Sequence, residues 1–267
     1  MAWYSGQCVC CTIRISRWAL ACCMGISGGE SPIMTELTDR AFLRLHIEAV
    51  WGISIPPLDS ATVELSTTNP LPPWSLYQAR LADGQVAIWR PGVSADGRVD
   101  LLARARRAGP EYDAALGMRR EVVLRLSATP SASPLPSQLA ARLLTAADAP
   151  LLEAFEAGSA SYFLDPHHAP CLGVIVAGRL VSVAHSSRRT PYACELGINT
   201  APDARRHGYA TTAVRAWTAS ILREGLTPMY SAFAHNTPSL RLAAAADYIQ
   251  VSASVYGPVT NTTNTDL

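Results

Sequence analysis

Between residues 203 and 214 the sequence reads DARRHGYATTAV. Arg205, Arg206 and His207 stand just before Gly208, and an apolar helical pattern starts immediately after it. Cations there face the positive end of a helix macrodipole, which is locally unfavourable unless an anion sits between them and the helix. A tight turn opening into a helix offers such an anion the backbone N–H groups of the turn and the first unpaired N–H groups of the helix. Gly208 permits close approach, Ala210 keeps the next turn small, and the arginines supply charge-assisted partners. The pattern lacks G-x-G-x-x-G, and all 22 basic residues of the chain are arginine. That removes a Walker lysine, a kinase strand lysine and any lysine Schiff base. On this motif alone, a phosphate cradle and a solvated strand-turn-helix are about equally good readings.

His185 shares a strand face with Val181 and Val183 by strict alternation, where a lone histidine is more often a satisfied core residue. His167, His168 and Cys171 lie close in sequence but lack a fourth ligand, so no metal is expected. Five of the seven cysteines fall at Cys8, Cys10, Cys11, Cys22 and Cys23. Adjacent cysteines rarely serve together as zinc ligands, and a chain rich in core-forming residues does not call for a disulfide staple. Arg14 and Arg17 ahead of WALACCMGIS suggest a signal segment, but no small-residue cleavage site follows and the run is too short to span a bilayer. An over-called start, with translation beginning at Met34, is the favoured expectation for residues 1–33.

The elements that must position these residues come next. The chain has 267 residues, 49% apolar and 16% charged, with a net charge of +1. This permits one large or two modest domains with a real core, and argues against disorder and against a global attraction to nucleic acid or membrane. A helix is expected over 37–50, a hairpin around Asp83-Gly84, and a helix in RVDLLARARRAG. ATPSASPLPS, residues 128–137, is the expected linker between a module at 34–127 and one at 138–260. In the second module the order is a strand in LAARLLTA, a helix ending at Gly158, a hairpin turning at Ala177-Gly178, and a strand in ACELGINT. A helix then runs from Gly208 to Gly225, followed by a strand in PMYSAFAH, a helix capped by Asn236 or Thr237, and a strand in YIQVSASVYG.

Arg205-x-x-Gly208-x-Ala210 after ELGINTAP resembles the pyrophosphate loop of the GNAT superfamily of acyl-CoA-dependent N-acetyltransferases. HNTPSLRLAAAADYI is similar to that family's Asn-x-x-Ser/Ala helix and following aromatic strand, and the resemblance covers roughly residues 138–257. It implies an α/β (α+β) fold whose mixed central sheet is flanked by helices, preceded here by a smaller N-terminal α/β module. It implies acetyl-CoA as co-substrate, no metal, and direct attack of an amine acceptor in a ternary complex. Arg205, Arg206, His207, Gly208, Tyr209 and Ala210 would hold the pyrophosphate, Ile198 to Thr200 would pair with pantetheine, and Asn236 would touch the pantetheine arm. Glu195 lies near the place of the family's catalytic glutamate; strict alternation sets it opposite Thr200, and a bulge between them would restore the match. The family's acid is often a tyrosine in the helix after the Asn, where this chain has Ala243, and its usual Gly-Phe is here Asp247-Tyr248. Tyr248, Ser239 or a water is therefore expected as the proton donor. SASYFLDPHHAP is expected to form part of the acceptor wall. The expected partner is a small-molecule or peptide amine, without nucleic acid or membrane; the expected location is cytoplasmic, and a homodimer stays open. The rival readings are a catalytically degenerate acyl-CoA-binding regulatory module and another phosphate-ligand binder.

Overall fold

The computed structural model describes residues 37–68, 70–129 and 140–259. The five N-terminal cysteines, the expected start at Met34 and most of the expected linker lie outside the described residues.

The first helix, α1 (Asp39–Trp51), starts where the Thr38 hydroxyl accepts from the Ala41 N–H at 3.2 Å, and stops at Gly52 in the left-handed region. Phe42, Leu43, His46 and Ile47 form its buried face. A ten-stranded sheet follows from β1 (Thr62–Glu64), β2 (Trp74–Leu81), β3 (Gly84–Trp89), β4 (Arg119–Leu126), β5 (Ala141–Leu143), β6 (Leu172–Val176), β7 (Arg179–Arg189), β8 (Ala193–Thr200), β9 (Thr227–Phe233) and β10 (Tyr248–Val259). Their order is β1-β3-β2-β10-β4-β9-β8-β7-β6-β5. The pairs β1–β3 and β8–β9 are parallel and the rest antiparallel, so the sheet is mixed and open.

The other helices are α2 (Ala95–Arg107), α3 (Ala149–Phe155), α4 (Ser159–Phe163), α5 (Tyr209–Arg223) and α6 (Thr237–Ala245). The hairpin at Ala177-Gly178 forms where its turn residues were read, and both take positive φ, the geometry a tight two-residue hairpin requires; the hairpin expected at Asp83-Gly84 turns one residue earlier, at Ala82-Asp83, because Gly84 already pairs with Leu81. β4 carries no turn signal and was not anticipated. It lies between β10 and β9, so strands from before and after the expected linker hydrogen-bond into one sheet.

Consecutive strand residues point to opposite faces, and β8 shows which faces these are. Ala193 joins the core with Phe42, Leu43 and Ile47 of α1, along with Tyr77, Val123 and Met229. Cys194 and Leu196 join Ala213, Val214, Trp217 and Ile221 of α5, with Leu124 and Tyr230. Burying each of the larger apolar side chains is worth about 1.5–3 kcal/mol, so α1 and α5 clamp the centre of the sheet from its two sides. Two irregularities reset the alternation in β7. One lies between Val174 and Ile175 in its pairing with β6, and Val181 consequently packs with the α5 core rather than beside Val183. The other lies between Ser186 and Arg188 in its pairing with β8. The bulge expected between Glu195 and Thr200 is thus in the neighbouring strand, and Glu195 remains on the face opposite Thr200.

Candidate functional site

β8 and β9 run parallel and pair only at Ala193–Thr227, Cys194–Pro228 and Glu195–Met229. Beyond that point β8 stays with β7 as far as Thr200, while β9 stays with β4 as far as Phe233. The two strands therefore part like a V with Glu195 at its vertex. From Leu196 onward, the edge of β8 that faces β9 has no strand partner among the described residues. Such an edge presents unpaired backbone groups to an extended ligand.

The open end of β8 leads to the loop 201–208. A short 3₁₀ turn, Pro202–Ala204, is pinned by Asp203, which receives two hydrogen bonds from Arg179 at 2.6 and 2.7 Å. Arg206 takes φ 65° and Gly208 φ 82°. For arginine this left-handed backbone is strained, whereas glycine takes it freely. Gly208 is the N-cap of α5, and no side chain caps that end. The first N–H groups of this 15-residue helix are therefore left for a ligand or water. Among the described residues no carboxylate pairs with Arg205 or Arg206, and Arg205, Arg206, His207 and Gly208 are all exposed. The His207 and Tyr209 rings stack at 5.6 Å beside them. A cleft of about 490 Å³ adjoins the loop, lined by Phe155, Arg179, Ile198, Asn199, Thr200 and Arg205. Arg205 and Arg206 thus belong to an uncapped, left-handed loop at the mouth of a cleft.

On the α1 face of the vertex Glu195 is buried, and Ser231 of β9 donates a hydrogen bond to its Oε1. Burial raises the Glu195 pKa above the ordinary carboxylate value, although His46, Ser231 and Arg188 pull it down. A carboxylate so placed is suited to accept a proton near neutral pH. His185 stands on the same face, its ring laid over Gly197 of β8 and packed by Tyr162 and Phe163. Its Nε2 lies 3.3 Å from the Tyr162 hydroxyl, its Nδ1 has no partner, and burial lowers its pKa to about 4. His168 joins this wall, its ring 4.0 Å from that of Tyr162. Cys171 is buried, and that burial pushes its thiol up to about 12, which makes it inert.

On the α5 face the expected proton donors separate. Tyr248 pairs with Leu126, beyond the level of Met229, which places it at the closed side of the V. Its hydroxyl is 2.7 Å from the Thr218 hydroxyl in the core, and burial raises its pKa. Tyr248 thus stands away from the opening, because β10 reaches the sheet centre from the closed end. Ser239 lies in the first turn of α6, its hydroxyl 2.9 Å from the hydroxyl of Tyr230. Tyr230 was missed in the sequence. It follows Met229 directly, on the open side of the vertex, and only the register of β9 shows this. Asn236 is the exposed N-cap of α6, accepting from the Ser239 N–H at 3.2 Å. Ala243, where an acid was sought, is fully buried.

A family model for GNAT acetyltransferase matches residues 151–254, which span α3 to β10 and hold the V, the loop and Tyr230. Among curated proteins no sequence matches the chain. Solved structures that are similar include a protein from Novosphingobium aromaticivorans described as a GNAT-family acetyltransferase: 21% identity, 52% of this chain, 63% of that one, TM-score 0.41. A GNAT-family acetyltransferase from Colwellia psychrerythraea matches at 13% identity over 52% of this chain and 55% of its own, TM-score 0.43. A GCN5-related N-acetyltransferase-like protein from Streptococcus suis matches at 20% identity over 64% of this chain and 70% of its own, TM-score 0.40. The chain spans less than two thirds of the first two of these structures. Residues 151–254 are thus the part of the chain that matches the GNAT acetyltransferase family.

Proposed function

We propose that this protein transfers an acetyl group from acetyl-CoA to an amine acceptor by direct attack in a ternary complex. The observation that carries the reading is the continuity of the V with the uncapped N-terminus of α5. A pyrophosphate on the loop Arg205–Ala210 meets backbone N–H groups and two arginines. From there the pantetheine arm lies along Ile198 to Thr200 and brings the thioester to the vertex. A backbone N–H of β8 polarises the carbonyl. The amine approaches on the α1 face, where Glu195 takes its proton, and the wall of Tyr162, His168 and His185 borders the approach. Coenzyme A leaves on the α5 face, where Tyr230, held by Ser239, protonates the thiolate. Asn236 stands at the end of this arm as a contact for pantetheine.

The test separates charge from shape. Coenzyme A is titrated by calorimetry against the parent, Arg206→Glu and Gly208→Val, at low and high salt. Arg206→Glu repels phosphate and should lose at least tenfold in affinity, less at high salt because exposed charges are screened. Gly208→Val fills the phosphate's space and forces a β-branched residue to positive φ, so its loss should be independent of salt. Parent-like binding by both variants overturns the reading. A thiol-release screen of acetyl-CoA against a panel of amines then identifies the acceptor class.

A further inference from the structure

A buried polar chain runs beneath α1, and three of its members, His46, Tyr77 and Glu121, lie outside residues 151–254. His46 of α1 is completely buried. Its Nε2 lies 3.4 Å from Oε1 of Glu121 on β4, and the same oxygen accepts the Tyr77 hydroxyl of β2 at 2.6 Å. Among the described residues its Nδ1 has no hydrogen-bond partner, and it lies 3.9 Å from Oε1 of Glu195. Ser252 and Ser254 of β10, 3.0 Å apart, close the chain behind Tyr77. Burying two carboxylates and an imidazole costs far more than burying apolar residues of the same size. The packing of α1 does not need such groups, since Phe42, Leu43 and Ile47 already supply an apolar face.

We propose that His46, oriented by Glu121, is a relay and positioning residue for Glu195, receiving at Nδ1 the proton that Glu195 takes from the acceptor. This rests on the reading of Glu195 as base. Glu121 as a carboxylate can only accept, so the Nε2 of His46 carries the hydrogen and the Nδ1 lone pair faces Glu195. The gap of 3.9 Å is too long for a hydrogen bond and closes with a small side-chain movement. The proton count calls for a second acceptor. An ammonium loses two protons on becoming an amide; one is balanced by the proton that the departing thiolate takes up, and the other leaves for solvent. The nitrogen lone pair forms the C–N bond, and the C–S pair leaves with sulfur. The N–H proton goes to Glu195 and on to Nδ1, giving an imidazolium paired with the Glu121 carboxylate and restoring the Glu195 carboxylate for the next proton.

The charge environment supports this role. Burial alone would depress the His46 pKa, but the hydrogen bond and charge of Glu121, followed by the charge of Glu195, hold it above its ordinary value. Glu121 and Glu195 are the charges that act on it; Tyr77 and Tyr256 in turn face Glu121, and Arg188 of β7 faces Glu195.

The coupling is read without any acceptor by following histidine ring signals against pH by NMR in the unliganded protein, the His46 signal being assigned from its loss in His46→Gln. The His46 titration should lie above the ordinary range and fall by at least about half a pH unit in both Glu121→Gln and Glu195→Gln, because each removes a neighbouring negative charge. With acetyl-CoA and the amine found by the screen, His46→Gln should keep the acetyl-CoA KM within about twofold and lower kcat at least tenfold. Its acid limb should move to higher pH, since Glu195 loses a cationic neighbour. Glutamine still reaches Glu121, so the fold is retained; a far-ultraviolet spectrum and coenzyme A binding verify this. A His46 titration that ignores Glu195→Gln, or a His46→Gln variant with parental kcat or an unmoved acid limb, overturns the relay alone. A parent that does not bind coenzyme A overturns the acetyltransferase reading and the relay's role with it.

Discussion

Replacing Gly197 with alanine places a methyl group against the buried His185 ring. The new Cβ would meet three ring atoms, Cε1, Nε2 and Nδ1; the most distant is Nδ1 at 2.9 Å, and ordinary contact begins at 3.4 Å. The ring therefore moves by at least about half an ångström, although Tyr162, Phe163 and His168 pack around it. Overpacking of this kind costs about 1–3 kcal/mol, and loss of the hydrogen bond to Tyr162 adds about 0.5–1.5 kcal/mol. A total of about 1.5–4.5 kcal/mol follows, which lowers Tm by roughly 3–18 °C in a chain of this size. His185→Ala alone should cost about 2–3 kcal/mol through the cavity it leaves. In the double variant the new methyl enters that cavity, so the combined cost should fall short of the sum by about 1–2 kcal/mol. Urea unfolding of the four proteins at pH 7 measures the cycle. Additivity within about 0.5 kcal/mol would mean that Gly197 and His185 do not share that space, and would refute the argument.

Glu195→Gln should lower kcat at least a hundredfold with little change in acetyl-CoA affinity, and should remove the acid limb of the pH–rate profile; parental kcat would shift the base to another group. That limb should lie above the ordinary carboxylate range in the parent, because burial raises the Glu195 pKa and the base works only above it. Tyr230→Phe should slow thiol release at least tenfold while Tyr248→Phe leaves it within about threefold, and the reverse order would restore Tyr248 as the donor. Asp148 accepts from Arg142 at 2.5 and 2.9 Å and from the Thr145 N–H at 2.9 Å, which holds its carboxyl well below the usual range. Its contribution is present above the unfolded value near 3.8 and lost as pH falls. Asp148→Asn should therefore be less stable than the parent at pH 7, with the difference shrinking steadily as pH falls from about 4 toward 2, as read by urea midpoints across that range.

The loop was legible in the sequence because its demands are local. Two arginines before a glycine, ahead of an apolar helical repeat, point to a tight turn opening into a helix at Gly208, and the structure has that turn, with Arg206 and Gly208 in the left-handed region and no side chain capping α5. The hairpin at Ala177-Gly178 was legible for the same reason, and the one expected at Asp83-Gly84 to within one residue, as were α5 with its apolar face and the cap at Asn236. β4 was not, because RREVVLRL has charged ends and no neighbouring turn pair, and a central strand is defined by partners far along the chain. The faces of β7 escaped strict alternation because a bulge shifts every later side chain by one, and nothing in VSVAHSSRR announces it. Tyr230 and Tyr248 look equivalent as buried strand tyrosines; only the register of β9 and β10 sets one at the opening and the other behind it. His46 and Glu121 are separated by 75 positions and join Glu195 only when α1 docks across the sheet. Local backbone chemistry therefore revealed where an anion could sit, while the neighbours of Glu195 depended on long-range strand pairing and helix docking, which no short stretch of sequence encodes.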